Sequence, residues 1–317
     1  MDRFAFRIFN DSVKKRLIEA QDRIIVSVSG GVDSMSLLCL LQAFREKIDI
    51  TLHLVHFHHG LRKESDDEAN FISAMAKERA VPVSIYRTNR LKGVAGMQNR
   101  AREWRYRHLR KTMEALGFHK IALGHHRGDL IETQIWRMLR GGSLFSLNPI
   151  QASAPPYIRP LLATPKEELR AYMRRIGQPW KEDGTNRSDD YTRNIIRNRL
   201  FPILETCAGE RWEEKLLALA DDALQLRDFF RETVPPATYR KREIDFRTIS
   251  NLNPVFAKEC IHQYLLHNGQ REITRDNIDT IHRLASSGRG GWKVCLKGGA
   301  TAVGQSKKIC LTKFVSR

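Results

Sequence analysis

At 317 residues, 41% of them hydrophobic, the chain has the apolar content for a sizeable core in two domains, which excludes a disordered segment. No run is apolar for the length of a bilayer and Met1 to Arg7 lacks the apolar stretch of a signal peptide, so a cytoplasmic protein with no membrane partner is expected. Five scattered cysteines without a CxxC pair argue against a disulfide framework, a zinc module or an iron–sulfur cluster, and a net charge of +18, from 54 Lys and Arg against 36 Asp and Glu, calls for a polyanion.

In chain order, an amphipathic helix is expected over residues 4–20, then a β-branched strand over 24–28 and a helix over 34–46. Between strand and helix lie Ser29, Gly30, Gly31, Val32, Asp33 and Ser34. A strand that breaks at paired glycines and restarts as a helix collects backbone N–H groups at a helix N-terminus, where a phosphate is favoured. No lysine closes the loop, so it is not the loop that serves γ-phosphoryl transfer. Asp33, a carboxylate facing phosphates, implies an intervening Mg²⁺. ATP with Mg²⁺ is the ligand this segment predicts.

A second strand is expected over 51–57, a helix near 66–79, a strand over 81–86, an arginine-rich helix over 97–115, a strand over 120–123 and a helix over 128–139. Strands alternating with helices predict an α/β domain built on a doubly wound parallel sheet, with its ligand beyond the carboxyl ends of the strands. Strand 157–161 and helix 165–176 follow, the helix opened by Thr164 in a capping box with Pro165 at its first position. Past a hinge at Cys207 to Glu210 the pattern turns helical, with a break at Pro235-Pro236, helices near 254–267 and 274–286, the latter capped by Thr274, and a small terminal β element at 292–296, 301–303 and 308–311. The expected division is 1–205 for a catalytic domain and 206–317 for a mainly helical domain that ends in this β element.

Polar clusters end two strands: His56 to Arg62, and Gly124 to Thr133. Their histidines lack the cysteines or regular carboxylate spacing of a zinc site, so contacts to nucleotide and phosphate are expected instead. Asp129 and Glu132 stand three apart and share a helix face, an arrangement suited to an amine. Arg100, Arg102, Arg105, Arg107, Arg110 and Lys111 crowd one helix, and Arg187, Arg193, Arg197 and Arg199 another, which favours nucleic acid as the polyanion.

The order S-G-G-V-D-S resembles the PP-loop of ATP pyrophosphatases. Together with HHGLR (58–62), GHHRGDLIET (124–133), RGG (140–142), RPLL (159–162), PWKEDGTN (179–186) and YTRNIIRNRLFPIL (191–204), it resembles the tRNA(Ile)-lysidine synthetase family, in a short form without a second C-terminal domain. That resemblance implies adenylation of C2 of the wobble cytidine in a CAU-anticodon tRNA(Ile), followed by attack of L-lysine, with AMP and pyrophosphate released. It implies that Ser29, Gly30, Gly31, Val32, Asp33 and Ser34 hold ATP, its pyrophosphate and Mg²⁺. It places His125, Asp129 and Glu132 at the lysine and nucleotide pocket, Arg105 at phosphate or tRNA, and Arg193 and Arg197 in the assembly of the site. Gly128 and Gln98 stand where the family usually has acidic residues. tRNA thiolases share the loop but use cysteines that this chain lacks near Gln98 and Glu182, and a non-catalytic tRNA-binding paralogue is the other alternative. Pairing of two copies through residues 211–286 stays open.

Overall fold

The computed structural model describes residues 1–58, 64–88, 97–148, 150–181, 192–270 and 272–313. His59 to Arg62, Glu182 to Tyr191 with the EDGTN run, and the side chain of Gln98 lie outside that description. The chain divides into two compact units, Met1–Glu132 with Ile150–Asn198, and Thr133–Pro149 with Arg199–Arg317. Residues 133–149, which the sequence groups with the catalytic domain, thus belong to the second unit.

The first unit opens with α1 (Arg3–Lys14), capped by Asp2, whose carboxylate accepts the Ala5 N–H at 2.8 Å. The helix stops at Lys14 rather than near residue 20. Arg16, with φ of +52°, and Leu17 donate their N–H groups to Val13 and Ser12, a Schellman ending without its usual glycine. Leu17 and Ile18 are then buried as loop residues.

Next come β1 (Asp22–Val28), α2 (Val32–Phe44), β2 (Ile50–His58), α3 (Glu64–Glu78), β3 (Val83–Arg87), α4 (Met97–Ala115), β4 (Lys120–Ala122) and α5 (Arg127–Leu139). The strands β5 (Ser153–Ala154) and β6 (Tyr157–Ile158) and the helices α6 (Lys166–Arg175) and α7 (Thr192–Ile195) follow, with a wider π-type turn at Ile196–Leu200. The sheet order is β3-β2-β1-β4-β6-β5, parallel except for the β5–β6 pair at its edge. The expected α/β fold is therefore present. Alternate residues of β1 feed the two faces: Ile24, Val26 and Val28 pack with α2, while Ile25 packs with Val55, Leu109 and Ile121. Helix α2 buries ten of its thirteen residues, so it is apolar all round and central rather than amphipathic. Strand order reverses beside β1, with β2 on one side and β4 on the other, so the crevice expected for a ligand opens beyond Val28 and Ala122.

One local expectation fails. Pro165 is the N-cap of α6, and Thr164 caps nothing. Its backbone is used elsewhere: the Thr164 N–H donates to Leu161 and its carbonyl accepts the Arg127 N–H at 3.0 Å, which ties this loop to the start of α5.

The second unit holds α8 (Phe201–Ala208), α9 (Trp212–Thr233), α10 (Pro236–Tyr239), β7 (Glu243–Asp245), α11 (Phe246–Ser250), α12 (Pro254–His267), α13 (Arg275–Ser286) and the strands β8 (Trp292–Cys295), β9 (Ala300–Gln305) and β10 (Lys308–Lys313). Thr274 caps α13 in a full capping box with Asn277. The sheet is antiparallel in order β7-β10-β9-β8, and β7, only three residues long, has no periodicity to announce it. Tyr264 is fully buried and donates its hydroxyl to the carbonyl of Arg242 at 2.8 Å. Segment 133–149 is fastened by Gln134 and Asn148, which donate to the α9 carbonyls of Leu216 and Ala220. Among the described residues no helix is long and apolar enough to cross a membrane.

Candidate active site

Between β1 and α2 the backbone turns at Gly30, whose φ of +87° suits a residue without a Cβ. Gly31 is the N-cap of α2 and brings no capping side chain, so the first N–H groups of the helix have no side-chain cap at that residue. Ser34 stitches the loop: its Oγ accepts the Ser29 N–H at 3.0 Å and donates to the Gly31 carbonyl at 3.0 Å, with Ser29 Oγ 3.1 Å away. The two serines therefore organise the cradle. Val32 is buried in the core, so only its backbone can serve a ligand.

Asp33 stands in the first turn of α2. Its Oδ2 lies 3.6 Å from Lys166 Nζ and 3.8 Å from His126 Nε2, and its Oδ1 is buried without a hydrogen-bond partner among the described residues. An orphaned, hard carboxylate oxygen beside a phosphate-type loop fits Mg²⁺ shared with phosphate oxygens. Among the described residues no three His, Cys, Asp or Glu side chains form a ligand set on their own.

A cavity of about 220 Å³ is lined by Ser29, Gly31, His56, Glu68, Arg105 and Lys181, among others. His56 Nδ1 bonds the Val28 carbonyl at 3.0 Å and must donate there, which leaves Nε2 as a buried acceptor with no partner among the described residues. Arg105 Nε is a buried donor without a partner among the described residues, and burial, followed by the charge of Arg102, lowers the pKa of that guanidinium. A donor and an acceptor in one small cavity next to the loop suit a nucleobase. Lys181 donates its N–H to the Gly30 carbonyl at 2.8 Å and sets its ammonium 6.0 Å from the Phe71 ring centre.

Beyond β4, Gly124 presses on the loop: a Cβ there would lie 3.1 Å from Ser34 N and 3.2 Å from the Asp33 carbonyl. His125 Nδ1 accepts from Arg159 Nε at 3.2 Å, and Arg159 Nη1 donates to Gln151. Burial, opposed by Asp129 and reinforced by Arg159, lowers the His125 pKa to about 4, so the ring is neutral at neutral pH.

On α5, Asp129 Oδ2 accepts the His126 N–H at 2.9 Å, the backward half of a capping box. Arg197 Nη2 lies 3.2 Å from Asp129 Oδ1 and 2.6 Å from Glu132 Oε2, and Arg193 Nε lies 3.3 Å from Glu132 Oε1. Burial pushes both carboxyls up. For Asp129 the interactions with the His126 and His125 rings, the backbone bond and Arg197 prevail and hold it below the usual range; for Glu132 burial prevails over Arg197 and the net shift is upward. Two carboxyls three residues apart are thereby set to different proton affinities.

The structure thus brings Asp129, Glu132 and Arg197 into direct contact, sets Asp33 near Asp129 across His126, and places Arg105 in the cavity with Ser29 and Gly31. A guanidinium already occupies the carboxylate pair that the spacing offered to an amine. His126 falls in the histidine cluster expected at nucleotide and phosphate, whereas Lys166 and Arg159 carry no site expectation from sequence. Lys166 sits in a run with the pattern of a helix cap, and Lys181 and Arg159 lie inside the PWKEDGTN and RPLL motifs, the one signal that marks them.

Residues 5–204 match the family described as the PP-loop domain. The tRNA(Ile)-lysidine synthase of Thermotoga sp. (strain RQ2) is 33% identical over 222 residues, covering 69% of this chain and 53% of that protein. The protein of the same name from Streptococcus agalactiae serotype V is 35% identical over 219 residues, 68% of this chain and 49% of its own length. The chain spans about half the length of the curated relatives it matches. Among solved structures, the U34-tRNA thiolase NcsA from Methanococcus maripaludis with its [4Fe-4S] cluster aligns with a TM-score of 0.59 at 14% identity, covering 70% of this chain and 78% of that one, a likeness of fold. With its loop, its strand order and most of its first unit inside that match, the chain belongs to the PP-loop domain family, and tRNA(Ile)-lysidine synthases are among its relatives.

Proposed function

We propose that this chain is an ATP-dependent ligase that joins L-lysine to C2 of the wobble cytidine of a tRNA(Ile) with a CAU anticodon. The observation that carries the reading is the placement of an uncapped PP-loop, an orphaned Asp33 oxygen and the Asp129–Glu132 pair around the ends of two adjacent strands. The similarity to proteins named tRNA(Ile)-lysidine synthase supports the choice of substrates.

C2 of cytosine carries a poor leaving oxygen. That oxygen attacks the α-phosphorus of ATP, pyrophosphate leaves, and the oxygen becomes part of a good leaving group. The neutral ε-amine of lysine then adds to C2, and AMP departs with the oxygen while the nitrogen loses its protons. The N–H groups at the start of α2 receive the departing pyrophosphate charge. Asp33 would hold Mg²⁺, which supplies positive charge against the phosphates when bound. His125, neutral and held at Nδ1 by Arg159, offers an Nε2–H donor to oxygen rather than a base. Asp129 and Glu132 hold the lysine amine beside Arg197 or in its place, and Glu132, the carboxyl with the raised pKa, is the one fitted to take a proton from it.

Arg105, Lys181 and the base-sized cavity would hold the nucleotide, and the net charge of +18 suits an RNA substrate. The experiment is pyrophosphate release from Mg-ATP, measured with CAU-anticodon tRNA(Ile), with another tRNA and with none. Release that requires the CAU tRNA is expected. ATP binding without release identifies a tRNA-binding module instead.

A further inference from the structure

The ring of His126 is 3% exposed, and its two nitrogens have very different surroundings. Nδ1 accepts the backbone N–H of Gly128 at 3.0 Å. A backbone N–H can only donate, so Nδ1 carries a lone pair and the proton of the neutral ring sits on Nε2. That buried Nε2–H has no hydrogen-bond partner among the described residues. Two carboxylate oxygens lie near it, Asp33 Oδ2 at 3.8 Å and Asp129 Oδ2 at 3.7 Å, both beyond direct bonding. Asp33 Oδ1 is likewise buried and unpartnered.

A protonated Nε2 cannot ligate a metal, and a phosphate oxygen there would meet two carboxylates of its own sign. A water suits all three groups. It accepts from Nε2 and gives one proton to each acid, the two to four polar partners a buried water needs.

The ring can stand in this position because residue 128 is glycine. A Cβ at 128 would lie 2.8 Å from His126 Cε1 and 3.2 Å from Nδ1, against the ring itself rather than a flexible tip. We propose that His126 is a positioning residue, its Nε2–H held for one water that ties Asp33 of the phosphate loop to Asp129 of the carboxylate pair, and that Gly128 is the residue that admits the ring. Asp33 also has Lys166 Nζ at 3.6 Å and Asp129 has Arg197, so the water sets the geometry of two acids whose charges already have partners.

The inference rests on the ligase reading for its kinetic consequence, and two substitutions separate the roles of the two nitrogens. The amide of His126→Asn reaches the position of Nδ1 and keeps the bond from Gly128 but loses the Nε2 donor. The amide of His126→Gln reaches the position of Nε2 and keeps that donor but loses the loop bond. With both variants folded by thermal melting, His126→Asn is expected to lower the turnover of pyrophosphate release by about tenfold more than His126→Gln, with little change in the KM for ATP. The reverse order would show that the ring merely supports the Gly128 loop and would overturn the proposal.

In a double-substitution cycle, the losses from Gly128→Ala and His126→Asn are expected to be far from additive, and simple additivity would also count against it. A third measurement does not depend on turnover. In ¹⁵N-histidine NMR of the unreacted chain, His126 is expected to show a proton on Nε2 and none on Nδ1. The opposite tautomer overturns the inference and leaves the ATP reading intact, whereas an unmodified chain that binds Mg-ATP without releasing pyrophosphate overturns the ligase reading and leaves the tautomer result standing.

Discussion

Arg197 Nη2 lies 2.6 Å from Glu132 Oε2, and the same nitrogen is 3.2 Å from Asp129 Oδ1. One guanidinium therefore sits across both carboxyls of α5, where an incoming ammonium would compete with it or join it. Glu132 is almost fully buried, so any change in its partners falls on a group with little solvent to compensate. Glu132→Gln is expected to raise the lysine KM by at least about tenfold while tRNA-dependent pyrophosphate release stays within about threefold. Equal loss in both steps, measured separately with and without lysine, would reject its role as amine holder.

Asp33 has a buried oxygen at the loop with no partner among the described residues, the feature that fits Mg²⁺. Asp33→Ala is expected to lower turnover by about a thousandfold, near 4 kcal/mol of transition-state stabilisation. Pyrophosphate release within tenfold of the parent chain would remove the Mg²⁺ assignment.

His125 titrates at about 4 because it is buried, with Asp129 opposing and Arg159 adding to the shift from 6.5. A histidine whose folded pKa lies below its unfolded one binds fewer protons in the folded state between those two values. The stability this contributes is complete above about pH 6.5 and is lost as the pH falls from there through about 4. The melting temperature is expected to fall over that window more steeply for the parent chain than for His125→Gln. Identical slopes would show that His125 is not held neutral by its surroundings.

Gly124 lets the end of β4 approach the first turn of α2, with Ser34 N only 3.1 Å from where a Cβ would stand. In Gly124→Ala the neighbouring atoms are backbone of the phosphate cradle, so the cradle itself must shift by a few tenths of an ångström. The KM for ATP is expected to rise about tenfold with the KM for tRNA unchanged. An unchanged KM for ATP would mean that the loop tolerates the displacement.

The features legible in the sequence are those with a local cause. The apolar run of β1, its break at Gly30, helix α4 from Met97 to Ala115 and the Thr274 cap each follow from neighbours within a few residues. The misread features turn on backbone conformations and bonds that no residue type announces. Helix α1 ends early because Arg16 takes a left-handed conformation that glycine usually signals, and Thr164 leaves its capping role because its backbone is tied to Leu161 and Arg127. The site divides in the same way: the loop and the α5 pair could be read from spacing, whereas Lys166 beside Asp33 and Arg197 beside Glu132 come from distant segments brought together by the sheet. Resemblance named Arg197, but nothing in the spacing said that it would bridge both acids.

Transfer of lysine to an ATP-activated cytidine is read out by nucleoside mass analysis. CAU-anticodon tRNA(Ile) is incubated with the chain, Mg-ATP and isotopically labelled lysine, then digested to nucleosides. The expected product is a cytidine that has gained labelled lysine and lost water, with one AMP and one pyrophosphate for each one formed. A sulfur-bearing nucleoside, or ATP consumed with every cytidine unmodified, would contradict the account.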